Sequence, residues 1–128
     1  MNKQQQKILI FDDDDRNIMA LKAVLTSRGF QCITASDGLQ ALYMLKQQKD
    51  ISVALVDMMM PEMDGYELIS LLRKFPQLNH LRLIAVTAQA MPGDKEKCLA
   101  AGADTYISKP VDIDILMQAL NDPLKQQK

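Results

Sequence analysis

The sequence predicts an α/β protein, a doubly wound parallel sheet of five strands in a (βα)5 arrangement. Two observations carry this. Five short apolar runs alternate with five stripes of apolar residues at helical spacing, and three of the runs are apolar throughout. Strands covered on both faces read as continuous apolar runs, whereas a strand with one wet face alternates. Strands that alternate with helices form right-handed βαβ units, which place helices on both faces of the sheet.

The elements follow in order. Ile8-Leu9-Ile10-Phe11 is the first strand, and Ile18, Leu21 and Leu25 fall on one face of the helix after it. Asp14 and Asp15 suit that helix's N-terminal turn, where carboxylates meet unpaired N–H groups, and Gly29 suits its end. Cys32–Ala35 is the second strand, followed by a stripe through Leu39, Leu42, Met44 and Leu45. Val53–Val56 is the third strand. Asp64-x-x-Glu67 then reads as a capping box, ahead of a stripe at Leu68, Leu71, Leu72 and Phe75. Leu83–Val86 is the fourth strand. The helix beyond Pro92 has the thinnest stripe, Cys98, Leu99 and Ala101, and ends at Gly102. Thr105–Ile107 is the fifth strand, and Asp112 caps a last helix carrying Ile113, Leu116 and Leu120.

Composition bounds the function. The chain has 128 residues, 48% hydrophobic and 24% charged, which suits one domain with its own core and excludes disorder. We expect a single domain with its core over about 7–121 and polar ends at 1–6 and 122–128. Fifteen Lys+Arg against sixteen Asp+Glu leave a net charge of -1, so no basic field favours nucleic acid or an anionic membrane. No apolar run approaches the ~20 residues of a membrane helix, and no signal-peptide core precedes Ile8. Cys32 and Cys98 stand far apart and read as small buried hydrophobes in a reducing compartment, so a cytoplasmic location is expected.

Ligands of open α/β sheets bind beyond the carboxyl ends of the strands. Asp12-Asp13-Asp14-Asp15 follow the first strand, Asp57 the third, Thr87 the fourth, and Ser108-Lys109-Pro110 the fifth. Neighbouring strands would bring three carboxylates, a hydroxyl and an ammonium together. Two like charges ~4 Å apart repel by about 4 kcal/mol at an effective dielectric of 20, so a divalent cation is called for. Oxygen ligands favour Mg²⁺, with Mn²⁺ as a substitute, and leave Thr87 and Lys109 for an anion. This inventory suits phosphoryl transfer to a carboxylate.

At these residues the sequence resembles a response-regulator receiver domain of two-component signalling. The matching stretches are ILIFDD (8–13), ALVDMMMP (54–61), Met63-Asp64-Gly65, VTAQAM (86–91), Ala101-Gly102-Ala103-Asp104 and YISKP (106–110). The resemblance implies a flavodoxin-like fold with strand order 2-1-3-4-5. It implies that Asp12 and Asp13 hold Mg²⁺, with Asp57 and the backbone carbonyl of Met59 as further ligands. It assigns Asp57 as phosphoacceptor, Thr87 and Lys109 as its catalytic partners, and Thr87 and Tyr106 as the switch pair. A cis peptide is implied before Pro110. The donor would be a histidine kinase or a histidine phosphotransfer protein, and the output a changed face around strand 4, helix 4, strand 5 and helix 5. Asn17 and 87–91 resemble receivers found in hybrid kinases. A downstream protein and a phosphorylation-dependent dimer are the further partners that the resemblance implies.

Other classes of protein fit the same residues less well. A phosphatase of the haloacid-dehalogenase type also places an Asp nucleophile after its first strand, and Asp12-x-Asp14 fits superficially. Arg16 stands where that class wants a small β-branched residue, and the chain is short for its fold. Four aspartates would repel the phosphate of a flavin. A pseudo-receiver acting by docking alone conflicts with the complete site. The phosphoacceptor switch is therefore expected to modify itself without being a conventional turnover enzyme. Met58-Met59-Met60 reads as packing rather than a soft-metal site, and the lone His80 as a surface residue.

Overall fold

The computed structural model describes residues 7–58, 65–88 and 92–121. Its elements run β1 (Lys7–Phe11), α1 (Asp15–Ser27), β2 (Gln31–Ala35), α2 (Gly38–Gln47), β3 (Ile51–Asp57), α3 (Gly65–Leu72), a 3₁₀ turn (Pro76–Leu78), β4 (Arg82–Thr87), α4 (Asp94–Ala101), β5 (Thr105–Ser108) and α5 (Ile113–Asn121). The five strands are parallel in the order β2-β1-β3-β4-β5, the order that the resemblance implied.

The side-chain alternation of each strand divides the core in two. Leu9, Phe11, Ala54, Val56, Leu83 and Ala85 face α2, α3 and α4, where they meet Ala41, Leu45, Leu68, Ile69, Leu72 and Cys98. Ile8, Ile10, Val53, Leu55, Ile84 and Val86 face α1 and α5, where they meet Leu21, Leu25, Leu116 and Leu120. The central strands β1, β3 and β4 are buried nearly throughout, and the edges β2 and β5 are only part-buried. That explains why three runs are apolar without interruption and two are not.

The caps set the lengths of the helices. Asp14 accepts from the Arg16 N–H at the start of α1, and Asp112 accepts from the Asp114 and Ile115 N–H groups at the start of α5. Asp37 accepts from the Gln40 N–H at the start of α2. Gly102 ends α4 at φ 124°, a conformation that side chains with a Cβ rarely adopt. Four expectations need correction. Leu99 is exposed, so Cys98 is the one fully buried side chain of α4. Cys32, on the edge strand β2, is only half-buried. Leu39 is 74% exposed, and Ala41 fills the core position beside Leu45 instead. Phe75 lies beyond the end of α3, half-buried against the core from the following turn. Asp64, the first residue of the expected capping box, lies outside the described residues. No described helix is long and apolar enough to cross a membrane.

Candidate active site

Register brings the site together. Phe11 of β1 pairs with Val56 of β3, so Asp12 and Asp57 emerge side by side at the carboxyl end of the sheet. Asp57 pairs with Val86 of β4, and Thr87 pairs with Ser108 of β5, which places Lys109 at the same edge. The Lys109 N–H donates to the Thr87 carbonyl at 2.7 Å and fixes the chain as it leaves β5. The Lys109–Pro110 peptide is cis.

The carboxylates are close and partly dry. Asp12 is 2% exposed and Asp57 5%, while Asp13 is exposed; one oxygen from each lies within 4.8 Å of the others. Lys109 Nζ stands 3.5 Å from Asp57 Oδ2 and 3.9 Å from Asp12 Oδ2. Three carboxylates against one ammonium leave a formal charge of about -2 among these described groups, and a divalent cation would cancel it. The donor set is all oxygen and spans about the reach of one small cation with its waters, which fits magnesium. Thr87 is buried at the end of β4 beside this cluster. The expected carbonyl ligand, Met59, lies outside the described residues.

The start of α3 packs tightly against the end of β3. A Cβ on Gly65 would stand 2.5 Å from Met58 Sδ, 2.7 Å from Met58 Cα and 3.0 Å from the Asp57 carbonyl. Only glycine lets α3 start against the residue that follows Asp57. This is the physical content of the glycine in the Met-Asp-Gly stretch.

A matching family profile, described as the response regulator receiver domain, spans residues 8–121. The chain belongs to the response-regulator receiver domain family. Among curated relatives, this receiver is 42% identical over 113 residues to the sensor histidine kinase RcsC of Escherichia coli K12, covering 88% of this chain and 12% of that one. It is 38% identical over 122 residues to the hybrid signal transduction histidine kinase I of Dictyostelium discoideum, covering 91% of this chain and 7% of the other. It is also 29% identical to the polar-differentiation response regulator DivK of Brucella anthropi, covering 93% of this chain and 96% of that one. The chain thus spans a small fraction of the kinases it matches and nearly all of the regulator. The receiver domain of a sensor histidine kinase from Pseudomonas aeruginosa, solved with magnesium coordinated in its active-site cleft, superposes with a TM-score of 0.82 at 33% identity over 91% of this chain and 94% of that one. A Francisella response-regulator receiver does so with a TM-score of 0.83 at 32% identity, over 97% and 100%. The receiver is a signalling domain of two-component systems.

Two contacts near the site carry no signal in the sequence. Asn17 Nδ2 donates to Asp12 Oδ2 at 2.5 Å, five residues away, because the first turn of α1 folds back over the end of β1. On the other side, the Tyr66 hydroxyl donates to Asp94 Oδ1 at 2.6 Å and ties α3 to α4 across 28 residues of sequence. Burial first, and then this hydrogen bond to a carboxylate, push the Tyr66 hydroxyl above its ordinary range. Lys97 Nζ sits 4.4 Å from the Tyr66 ring centre. Tyr106 is half-buried in β5 and packs against the core face that includes Cys98.

Proposed function

We propose that this receiver is a phosphorylation-controlled switch whose acceptor is Asp57. The observation that carries this is the convergence of three carboxylates on Lys109 at one sheet edge. Asp12 and Asp13 would hold magnesium, which when bound supplies positive charge to the phosphoryl oxygens, with the Met59 carbonyl and Asp57 as further ligands. An Asp57 oxygen attacks phosphorus in line. The P–O bond forms as the P–N bond of a phosphohistidine breaks, the electron pair returns to that ring nitrogen, and the proton already on the other ring nitrogen lets the imidazole leave neutral. Lys109 pairs with a phosphoryl oxygen through a charge-assisted contact.

The donor on this reading is the phosphohistidine of a histidine kinase or a histidine phosphotransfer protein, and a small acyl phosphate can replace it. Identity with segments of sensor histidine kinases supports that class of donor. Residues 7–121 act as one receiver module that modifies itself and does not turn over a separate substrate. Hydrolysis of the acyl phosphate resets it.

The output follows from Thr87 and Tyr106. Phosphorylation adds about two negative charges and three acceptor oxygens at the end of β4. Thr87 turns its hydroxyl toward them, and Tyr106 moves into the space it leaves. α4 responds because it is lightly held: of its side chains only Cys98 is fully buried, and Tyr66 grips it through Asp94. The face of β4, α4, β5 and α5 then presents a different surface to a partner. Driving such an equilibrium from 1:99 to 99:1 takes about 5.5 kcal/mol of differential stabilisation.

Intact mass after incubation with acetyl phosphate tests the reading. A gain of one phosphoryl group that needs Mg²⁺ and is lost in Asp57→Asn is expected. A gain that persists in folded Asp57→Asn would overturn it.

A further inference from the structure

The geometry points to Asn17 as the positioning residue that tunes this site for Mg²⁺ over Ca²⁺. This rests on Asp12 being a metal ligand. Among the described residues, the Asp12 carboxylate is met by three groups. Its Oδ1 accepts the Asp14 N–H at 2.9 Å, its Oδ2 accepts Asn17 Nδ2 at 2.5 Å, and Lys109 Nζ stands 3.9 Å from Oδ2. The two close donors hold one oxygen each, so they fix the carboxylate's torsion as well as its place.

Without that restraint the carboxylate has a reason to turn. It is 2% exposed, repelled by Asp13 and Asp57, and attracted by Lys109. Turning toward Lys109 would shorten an ion pair and change where the carboxylate's oxygens point. Asn17 opposes this with a neutral donor, which adds no charge to compete with the cation. A carboxylate oxygen offers two lone-pair directions, so Asp12 Oδ2 can accept from Asn17 and still hold a second partner. The donor sits on α1, whose start is fixed by the Asp14 cap, so its position is set by the scaffold rather than by a loop.

The consequence is selectivity. Mg²⁺ demands near-ideal octahedral geometry at ~2.1 Å, whereas Ca²⁺ accepts flexible ligands at ~2.3–2.6 Å. A fixed Asp12 serves the first ion more than the second. Loss of an outer-shell partner typically lowers metal affinity about 10–100-fold. Removing Asn17 should therefore weaken Mg²⁺ about tenfold and Ca²⁺ by less than about threefold.

The test is titration of the unphosphorylated protein with MgCl2 and with CaCl2, followed by backbone amide shifts and calorimetry. Wild type, Asn17→Leu, which keeps the shape without the donor, and Asn17→Ala are compared, each checked for a folded amide spectrum. Asp13→Asn is the reference for loss of a ligand. The expected result is a selective loss of Mg²⁺ in both Asn17 variants, with the Asp14 amide moving in the metal-free state. Equal loss of both ions, or no loss, overturns the inference while leaving Asp12 a ligand. A wild-type affinity that Asp13→Asn does not change would instead overturn the metal assignment beneath it.

Discussion

The receiver keeps two groups of charges at opposite ends of its sheet, and they are built on opposite principles. At the amino end of β4, Arg73 reaches from beyond α3 and donates Nε to the Gly102 carbonyl, Nη1 to the Leu81 carbonyl and Nη2 to Asp104 Oδ2. The same Asp104 oxygen accepts the Leu83 N–H, and the Asp104 N–H donates back to the Leu83 carbonyl. One cation meets one anion, and the contacts join α3, α4, β4 and β5. At the carboxyl end, three carboxylates meet one lysine. The first group is complete within the chain and serves stability. The second is charge-imbalanced within the described residues and suits a cationic ligand. The lesson is that the balance of a charge cluster, more than its burial, separates a clamp from a site.

The same substitution at the two ends should therefore act with opposite sign. Asp57→Asn should abolish phosphorylation, read by intact mass. Without metal it should also raise stability by about 1 kcal/mol, because relief among the carboxylates exceeds the loss at Lys109. Asp104→Asn should lower stability by about 2 kcal/mol, since it breaks a part-buried pair that carries a charged hydrogen bond. Its Mg²⁺ affinity should be unchanged. Urea unfolding with and without Mg²⁺ reads both, and destabilisation by both substitutions would break the comparison.

Smaller effects sharpen it. Tyr66→Phe removes a hydrogen bond to a carboxylate and should cost about 1 kcal/mol at neutral pH. The folded-state pKa of Tyr66 lies above its ordinary 10.0, so its contribution is complete below that value and is lost as pH rises through the folded pKa. Stability of the wild type should accordingly fall faster than that of Tyr66→Phe in alkaline solution; parallel pH profiles would contradict this. Asp13→Asn should raise metal-free stability by only about 0.5 kcal/mol, because Asp13 is exposed and solvent screens its repulsion. Added Mg²⁺ should reverse that order, and thermal melts in chelator and in magnesium check it.

The two ends also differ in what the sequence revealed. The acidic end was legible because each candidate site residue stands one or two positions beyond an apolar run, and the parallel sheet brings all carboxyl ends to one edge. The closing glycines were legible for similar reasons of pattern, whereas the strand order came only through the resemblance. The Arg73 clamp was not, since its partners at Leu81, Gly102 and Asp104 lie in loops and turns with no period. Asn17 stood out only through resemblance, and its bond to Asp12 depends on how α1 folds back. Tyr66 and Asp94 meet only after α3 and α4 have packed. Leu39 misled because its spacing from Leu42 looked helical, yet the inward face of α2 is set by Ala41 and Leu45.

The measurement that tests the central claim most directly is the chemical location of the phosphoryl group. Protein treated with acetyl phosphate and Mg²⁺, then reduced with borohydride, should carry homoserine at position 57 in its peptide mass spectrum, and none when the metal is chelated. Reduction at Asp12 or Asp13, or a position-57 signal independent of Mg²⁺, would contradict the account.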